Sequence, residues 1–179
     1  MKSLLFFFLF LFSSFSLFSQ GLQKDISELS FLLGKYMVSV YRPAAEGTWQ
    51  KVGAGRTTFE PILDGRFIRE TSVTKGENGP MTMESTIGYD LRYKKLRLFA
   101  IDKEFGVMDA YIGFMKDDYL IFTNINADIP FVAENGDKMS FRMSFHKLEQ
   151  GNLEFIVEWT KDGGVTWFPF TRHMYTKRE

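Results

Sequence analysis

The sequence predicts an all-β protein, a ten-stranded antiparallel up-and-down β-barrel with a short N-terminal helix. Two observations predict this fold class. Short segments in which apolar and polar residues alternate recur across residues 37–177, each ended by a turn signal, and almost no helical periodicity lies between them. Ten strands in a meander are satisfied most simply by closing a barrel, because closure leaves no sheet edge unpaired and encloses an interior.

Residues 1–19 have the pattern of a secretory signal peptide. Lys2 supplies the positive charge, residues 4–12 are apolar, and a serine-rich stretch leads to a cleavage site after Ser19. Serines interrupt the apolar run, so it is shorter than the roughly 20 residues of a spanning helix. We expect a secreted or periplasmic protein whose single domain is 20–179, with no membrane span after cleavage. An uncleaved anchor is the alternative.

Charge and cysteine content exclude several kinds of partner and site. The 22 Lys and Arg residues balance the 22 Asp and Glu residues, which predicts no nucleic-acid partner and no anionic membrane surface as partner. The sequence contains no cysteine, which excludes disulfides, thiolate metal sites and an acylated lipoprotein cysteine. Stability must therefore come from packing.

Helix and turn signals define the first half of the domain. A short amphipathic helix, capped by Asp25 or Ser27 and ended by Gly34, is expected to plug one mouth of the barrel. Pro43 ends the first strand, and the turn Leu63-Asp64-Gly65 separates the second from the third. The first five predicted strands are residues 35–42, 48–60, 66–74, 81–90 and 95–102.

The second half contains one long irregular stretch, residues 125–137, between otherwise short turns. Residues 160–167 fit the T/S-x-D-x-G-x-T-W pattern of an Asp-box, in which Asp162 accepts backbone N–H bonds. We interpret it as a folding device and expect a tight hairpin at Asp162-Gly163-Gly164. The last five predicted strands are residues 107–115, 119–124, 138–147, 153–161 and 165–177.

Methionine and phenylalanine dominate the strand faces that we predict to point inward. Unbranched methionine adapts to irregular space, which suits a pocket for an apolar or amphipathic ligand. The alternative is that the same side chains fill a narrow barrel without a cavity. The candidate ligand-binding residues are Met81, Met83, Met108, Ile112, Phe114, Met139, Phe141, Met143, Phe155 and Trp159.

Two arginines within strands are candidate polar anchors for such a ligand. Arg69 and Arg172 each share a strand face with apolar residues. An inward guanidinium could hold a ligand carboxylate through two hydrogen bonds. The alternative is that both arginines pair with Glu70, Glu158 or the backbone at the rim.

The sequence contains two histidines, His146 and His173, which are candidates for metal ligation or catalysis. His146 falls on the polar face of its strand, whereas the direction of His173 stays open. From inside a barrel, His173 could ligate a haem iron. No acidic pair accompanies the histidines in a zinc-site spacing, and no G-x-S-x-G turn is present. For an enzyme on the same barrel, the candidates are Asp109, Glu154 and His146.

Several short motifs resemble a bacterial lipocalin-like family of unknown function. They are Gly34-Lys35-Tyr36, residues 63–68 (Leu-Asp-Gly-Arg-Phe-Ile), residues 87–90 (Ile-Gly-Tyr-Asp) and Tyr175-Thr176-Lys177. The resemblance implies a calycin-type barrel similar to fatty-acid-binding proteins and nitrobindins, and the latter imply haem as a cofactor. Tyr36 stands where lipocalins have tryptophan.

Residues and resemblance together predict a secreted, non-catalytic, monomeric or homodimeric protein. Its expected partner is a small hydrophobic or amphipathic ligand inside the barrel, bound without a cofactor. A haem protein that uses His173 and an enzyme on the same barrel are the alternative functions.

Overall fold

The fold is described from a computed structural model covering residues 24–76, 79–125, 131–133 and 135–178. The predicted signal peptide, residues 1–19, lies outside the described residues. Within the described ranges, no helix is both long and apolar enough to cross a membrane.

An antiparallel meander of ten strands closes into a barrel within the described part of the chain. Each strand pairs with the next, and the last pairs with the first, so the prediction of a ten-stranded up-and-down barrel is confirmed. One further two-residue strand, β8, pairs with the start of β9. The strands are β1 Gly34–Pro43, β2 Trp49–Ile62, β3 Phe67–Gly76, β4 Gly79–Asp90, β5 Lys95–Asp102, β6 Val107–Lys116, β7 Tyr119–Thr123, β8 Phe131–Val132, β9 Lys138–Lys147, β10 Leu153–Thr160 and β11 Phe168–Lys177.

The turns follow local backbone chemistry, with one correction. Leu63, Asp64 and Gly65 all have positive φ between β2 and β3, as a tight turn requires. The expected tight hairpin at residues 162–164 is wrong, because β10 ends at Thr160 and β11 begins only at Phe168. The loop between β10 and β11 is longer than a tight hairpin. Hydrogen bonds to Asp162, rather than strand pairing, hold it together.

Asp162 organises this loop as the Asp-box pattern predicts. Its Oδ1 accepts hydrogen bonds from the Thr166 backbone N–H at 2.9 Å and from the Thr160 hydroxyl at 2.7 Å. These two bonds lower the pKa of the Asp162 carboxyl to about 2. The carboxylate is thereby kept ionised as the acceptor that holds the loop together.

One end of the barrel is filled and covered by the N-terminal segment. Lys24–Leu32 forms a 3₁₀ helix whose Ile26, Leu29 and Leu32 side chains are buried in the same core as the inward side chains of the strands. The Tyr36 hydroxyl donates a 3.0 Å hydrogen bond to the Leu32 carbonyl. We call this the closed end of the barrel.

An aromatic cluster packs beneath the covering segment. The Tyr36 ring meets Phe59 and Tyr175 edge-on, at centroid distances of 6.0 and 5.9 Å, and Phe59 meets Phe145 in the same way. Edge-to-face pairs at this separation add to the hydrophobic gain of burial. Tyr36 thus packs its ring in the core and donates a hydrogen bond from its hydroxyl to the covering segment.

We expect Tyr36→Phe to destabilise the protein by about 1–2 kcal/mol, because the buried Leu32 carbonyl loses its donor while the ring packing is kept. Urea unfolding of the variant and the wild type measures the difference. Tyr93→Phe, which changes a tyrosine that is 61% exposed, is the matched control and should stay within about 0.5 kcal/mol of the wild type. Equal losses in the two variants would contradict the role given to the Tyr36 hydroxyl.

Candidate functional site

Exposure of the inward-facing side chains changes along the barrel axis. Near the closed end they are fully buried, as for Leu120 and Phe145. Towards the opposite end the inward side chains of Met83, Phe141 and Trp159 are only partly buried. Solvent therefore reaches the interior from this second end, which we call the open end, and its inward surface is the candidate site.

Seven of the predicted lining residues do face inward. Strand register places them on the inward phase of their strands: Phe155 pairs with the buried Phe145, for example, and Trp159, four residues further along β10, pairs with Phe141. Met143 and Phe155 lie deeper and are buried, whereas the others line the open half. The inward residues are Met81, Met83, Met139, Phe141, Met143, Phe155 and Trp159.

Two glycines occupy inward positions of β2 towards the open end. A Cβ at Gly55 would lie 2.2 Å from the Val73 carbonyl oxygen, so only glycine fits where β2 and β3 approach each other there. Gly53 occupies the next inward position towards the open end and is similarly constrained by the backbone of Lys75. The open half thus lacks side chains at both positions.

The inward placement of Met108, Ile112 and Phe114 is wrong. All three point outward from β6, and Met108 is 72% exposed. The inward positions of this strand include Asp109, Tyr111 and Gly113, which pair with inward residues of β5. The expected phase is wrong because an aspartate and a glycine occupy two of these inward positions, whereas Met108, Ile112 and Phe114 form an apolar outer face.

The inward placement of Arg69 and Arg172 is also wrong. Arg69 forms an ion pair with Glu60 on the outer face of β2 and β3. Arg172 forms one with Glu154, at 2.6 Å between Nε and Oε1, on the outer face of β10 and β11. The alternative of pairing with acidic residues holds, although with partners other than Glu70 and Glu158.

A third arginine, Arg42, occupies the position expected of the anchor. It lies on the inward phase of β1, two residues beyond the partly buried Val40, whose partner on β11 is His173. Its Nη1 donates a 2.9 Å hydrogen bond to the Phe170 carbonyl, and its guanidinium carbon lies 4.3 Å from the centre of the Phe170 ring.

Arg42 is a cation without a countercharge. No carboxylate of the described residues lies within ion-pair distance of it, and desolvation lowers the pKa of its guanidinium. The sequence-based reasoning missed it because it precedes Pro43, at the end of a predicted strand. The available signal was its even spacing from Tyr36, Val38 and Val40.

His173 faces the interior and is buried, with 8% exposure. Burial, and secondly the charge of Arg42, lower the pKa of its imidazole to about 4, so the ring is neutral at neutral pH. Its ring centre lies 5.4 Å from that of Phe155, and its Nδ1 atom is buried without a hydrogen-bond partner. The open question about its direction is thereby answered.

A buried carboxyl lies at mid-height of the interior. The Ser85 hydroxyl donates a 2.6 Å hydrogen bond to Glu70 Oε2, while Oε1 has no hydrogen-bond partner within standard geometry. Burial raises the pKa of Glu70 to about 7, against the opposing influence of Ser85 and the Tyr175 hydroxyl. The sequence-based reasoning assigned Glu70 only as a partner for an arginine, and strand register shows that it faces inward with Ser85.

The candidates for an enzyme do not form one site. His146 stacks on Tyr119 on the outer wall, at 4.4 Å between ring centres, and its Nδ1 lies 3.8 Å from Glu154 Oε2. Asp109 faces inward, where it accepts a 3.3 Å bond from the Tyr111 hydroxyl and burial raises its pKa. Among the residues that the structure describes, no cluster of three or more His, Asp or Glu could hold a metal ion.

Comparison with known proteins supports the fold and leaves the function open. A family model described as a protein of unknown function, DUF1579, matches residues 28–177. A search of curated proteins returns no significant match. The chain is similar to the crystal structure of Rv2717c from M. tuberculosis, with 14% identity and a TM-score of 0.62 over 88% of this chain and 99% of that one. A redesigned β-barrel, mFAP0, bound to DFHBI, aligns with 9% identity and a TM-score of 0.42 over 83% of this chain and 99% of that one.

Glu70 and His173 are expected to give opposite slopes of stability against pH. The folded protein keeps a proton on Glu70 that the unfolded chain releases near pH 4.5, so this contribution to stability falls as pH rises from 4.5 to about 7. His173, whose pKa falls from 6.5 to about 4, contributes stability that rises with pH across that interval.

Urea unfolding at a series of pH values separates the two slopes. The unfolding free energy of Glu70→Gln minus that of the wild type should increase by about 3 kcal/mol from pH 4.5 to 7. For His173→Gln the same difference should decrease, by a similar amount, from pH 4 to 6.5. Differences that do not change with pH would contradict the buried placement of these groups.

Proposed function

This chain belongs to the DUF1579 family, and we propose that it is a secreted, non-catalytic binding protein for a small amphipathic ligand. The ligand's apolar body lies in the open half of the barrel against Met83, Phe141 and Trp159. Its acidic group pairs with Arg42. The uncompensated charge of Arg42 at an inward apolar surface is the observation that carries this proposal.

A partly desolvated cation without a carboxylate partner favours an anion more than a water-exposed arginine does. Arg42 has already lost part of its hydration, and among the described residues its hydrogen-bond acceptor is the Phe170 carbonyl. The remaining guanidinium N–H groups can donate two parallel bonds to a carboxylate. A ligand carboxylate would give Arg42 an ion pair of the kind that Arg69 and Arg172 form with glutamates of the protein.

The surrounding side chains suit an apolar chain or ring attached to that group. Phe170 lies against Arg42, and its ring contacts Phe141 edge-on, with 6.2 Å between ring centres. Phe141 in turn meets Phe131 at 5.6 Å. Each Å² of apolar ligand surface removed from water here contributes about 25 cal/mol. The aromatic series and the guanidinium together match an amphiphile rather than a purely apolar molecule.

Dodecanoate and dodecanol distinguish the two parts of this site, because they share the alkyl chain and differ in charge. Arg42→Gln should weaken dodecanoate binding by about tenfold to a hundredfold, as expected for loss of a charge-assisted bond. Binding of dodecanol should change by less than about threefold. Isothermal titration calorimetry of the purified domain measures both affinities.

Arg69→Gln is the matched control, since it removes an arginine from the outer wall of the same barrel. It should leave both affinities unchanged. If Arg42→Gln and Arg69→Gln affect dodecanoate equally, or if dodecanoate does not bind at all, the proposed ligand class is wrong.

Haem is the second candidate ligand, and the geometry of His173 favours it. The imidazole is neutral, faces the interior and leaves Nδ1 without a protein partner. A neutral imidazole nitrogen is the form that ligates haem iron. When bound, haem would supply an iron centre for small ligands or electrons. The chain's contribution would be the axial histidine and the aromatic wall beside it, Phe155.

Haem titration monitored by the Soret band tests this second function. We expect His173→Ala to abolish the band of the histidine-ligated complex and His146→Ala to preserve it, because His146 lies on the outer wall. An unchanged spectrum in His173→Ala, or no Soret shift in the wild type, would remove haem from consideration.

A further inference from the structure

A concave groove lies on the outside of the barrel near its closed end. Its volume is about 570 Å³, within the range of pockets that enclose small organic ligands. The floor is formed by the outward face of β3, β4 and β5, where Phe67, Gly88 and Arg97 are register neighbours. The buried Ile26 of the covering segment also lines the groove, which therefore lies at the closed end, opposite the site at the open end.

Aromatic rings and a glycine shape the groove. The Phe67 ring lies directly over Gly88, since a Cβ at Gly88 would come 2.2 Å from Phe67 Cδ1. Any side chain at Gly88 would displace that ring. Phe99 and Tyr93 line the same groove and are 43% and 61% exposed. The Arg97 guanidinium carbon lies 4.9 Å from the centre of the Phe99 ring and 5.9 Å from that of Tyr93, so the exposed aromatic surface borders a cation.

The charge of the groove is positive. Asp90, its acidic lining residue, is already neutralised: its Oδ2 lies 3.2 Å from Arg97 Nη1, and its Oδ1 accepts the backbone N–H groups of Arg92 and Tyr93. Arg66 and Arg92 also line the groove, and both are exposed. Neither has a carboxylate of the described residues within ion-pair distance.

We propose that this groove binds a small organic anion with an aromatic body. The ring stacks on the aromatic lining, and the acidic group lies between the guanidinium groups of Arg66 and Arg92. Arginine suits both contacts, because it pairs with anions and stacks on planar rings. The concave shape favours a small molecule over a flat protein surface. This site does not depend on the function proposed for the barrel interior.

Two probes with the same ring system isolate the charge contribution. 8-Anilinonaphthalene-1-sulfonate carries the anion, and N-phenyl-1-naphthylamine lacks it. Fluorescence titrations are performed with full-length mature protein carrying Arg42→Gln, so that anion binding at the open end is removed. The double substitution Arg66→Gln/Arg92→Gln should weaken sulfonate binding by about threefold to tenfold and leave the neutral probe unchanged.

Two further variants complete the test. Thr86→Trp places a bulky side chain in the groove and should weaken sulfonate binding while all arginines are kept. Arg56→Gln/Arg178→Gln removes two exposed arginines outside the groove and should have no effect. An unchanged sulfonate affinity in Arg66→Gln/Arg92→Gln, or an equal loss in both double variants, would overturn the proposal. The first result would show no site, and the second a response to net charge alone.

Discussion

Closure of the sheet between β1 and β11 is the constraint on which the other features depend. In this pairing Val38 lies opposite Tyr175 and Val40 opposite His173, so the first and last strands share one inward face. Once the ring is closed, every strand must place one set of alternate side chains inside. The same register that buries Tyr175 also commits His173 and Arg42 to the interior, whatever the free energy of desolvating them.

The two ends of the barrel differ because only one of them is covered. At the closed end the covering segment bonds the Tyr36 hydroxyl through Leu32, and aromatic rings fill the space beneath it. At the open end, glycines in β2 leave inward positions without side chains, and methionines and aromatic residues stay partly accessible. The filled half of the barrel thus lies beneath the covering segment, and the accessible half lies at the open end.

Burial changes the ionisation of Glu70 and His173 inside the barrel, while Arg42 keeps its charge. The raised pKa of Glu70 and the lowered pKa of His173 both follow from burial, which disfavours the charged form of each group. Arg42 stays charged, because the intrinsic pKa of a guanidinium is too high for burial to neutralise it. Arg42 therefore stays charged at the inward surface without an ion pair to a described residue, whereas Arg69 and Arg172 are paired with glutamates on the outer wall.

The sequence by itself determined the number of barrel strands, most of their boundaries and the position of the principal turns, because alternation and turn chemistry are local properties. It also identified seven inward residues on strands whose apolar face is the buried one, such as Phe141 and Phe155. The tertiary structure decided which face of β6 is inward: Asp109 and Tyr111 lie inside and Met108 outside, against the hydrophobic pattern. It likewise decided that Arg69 and Arg172 are paired with glutamates and Arg42 is not, since ion pairs such as Arg69–Glu60 depend on strand register. Those outcomes follow from closure, which fixes the phase of every strand through its neighbours and not through its own residues.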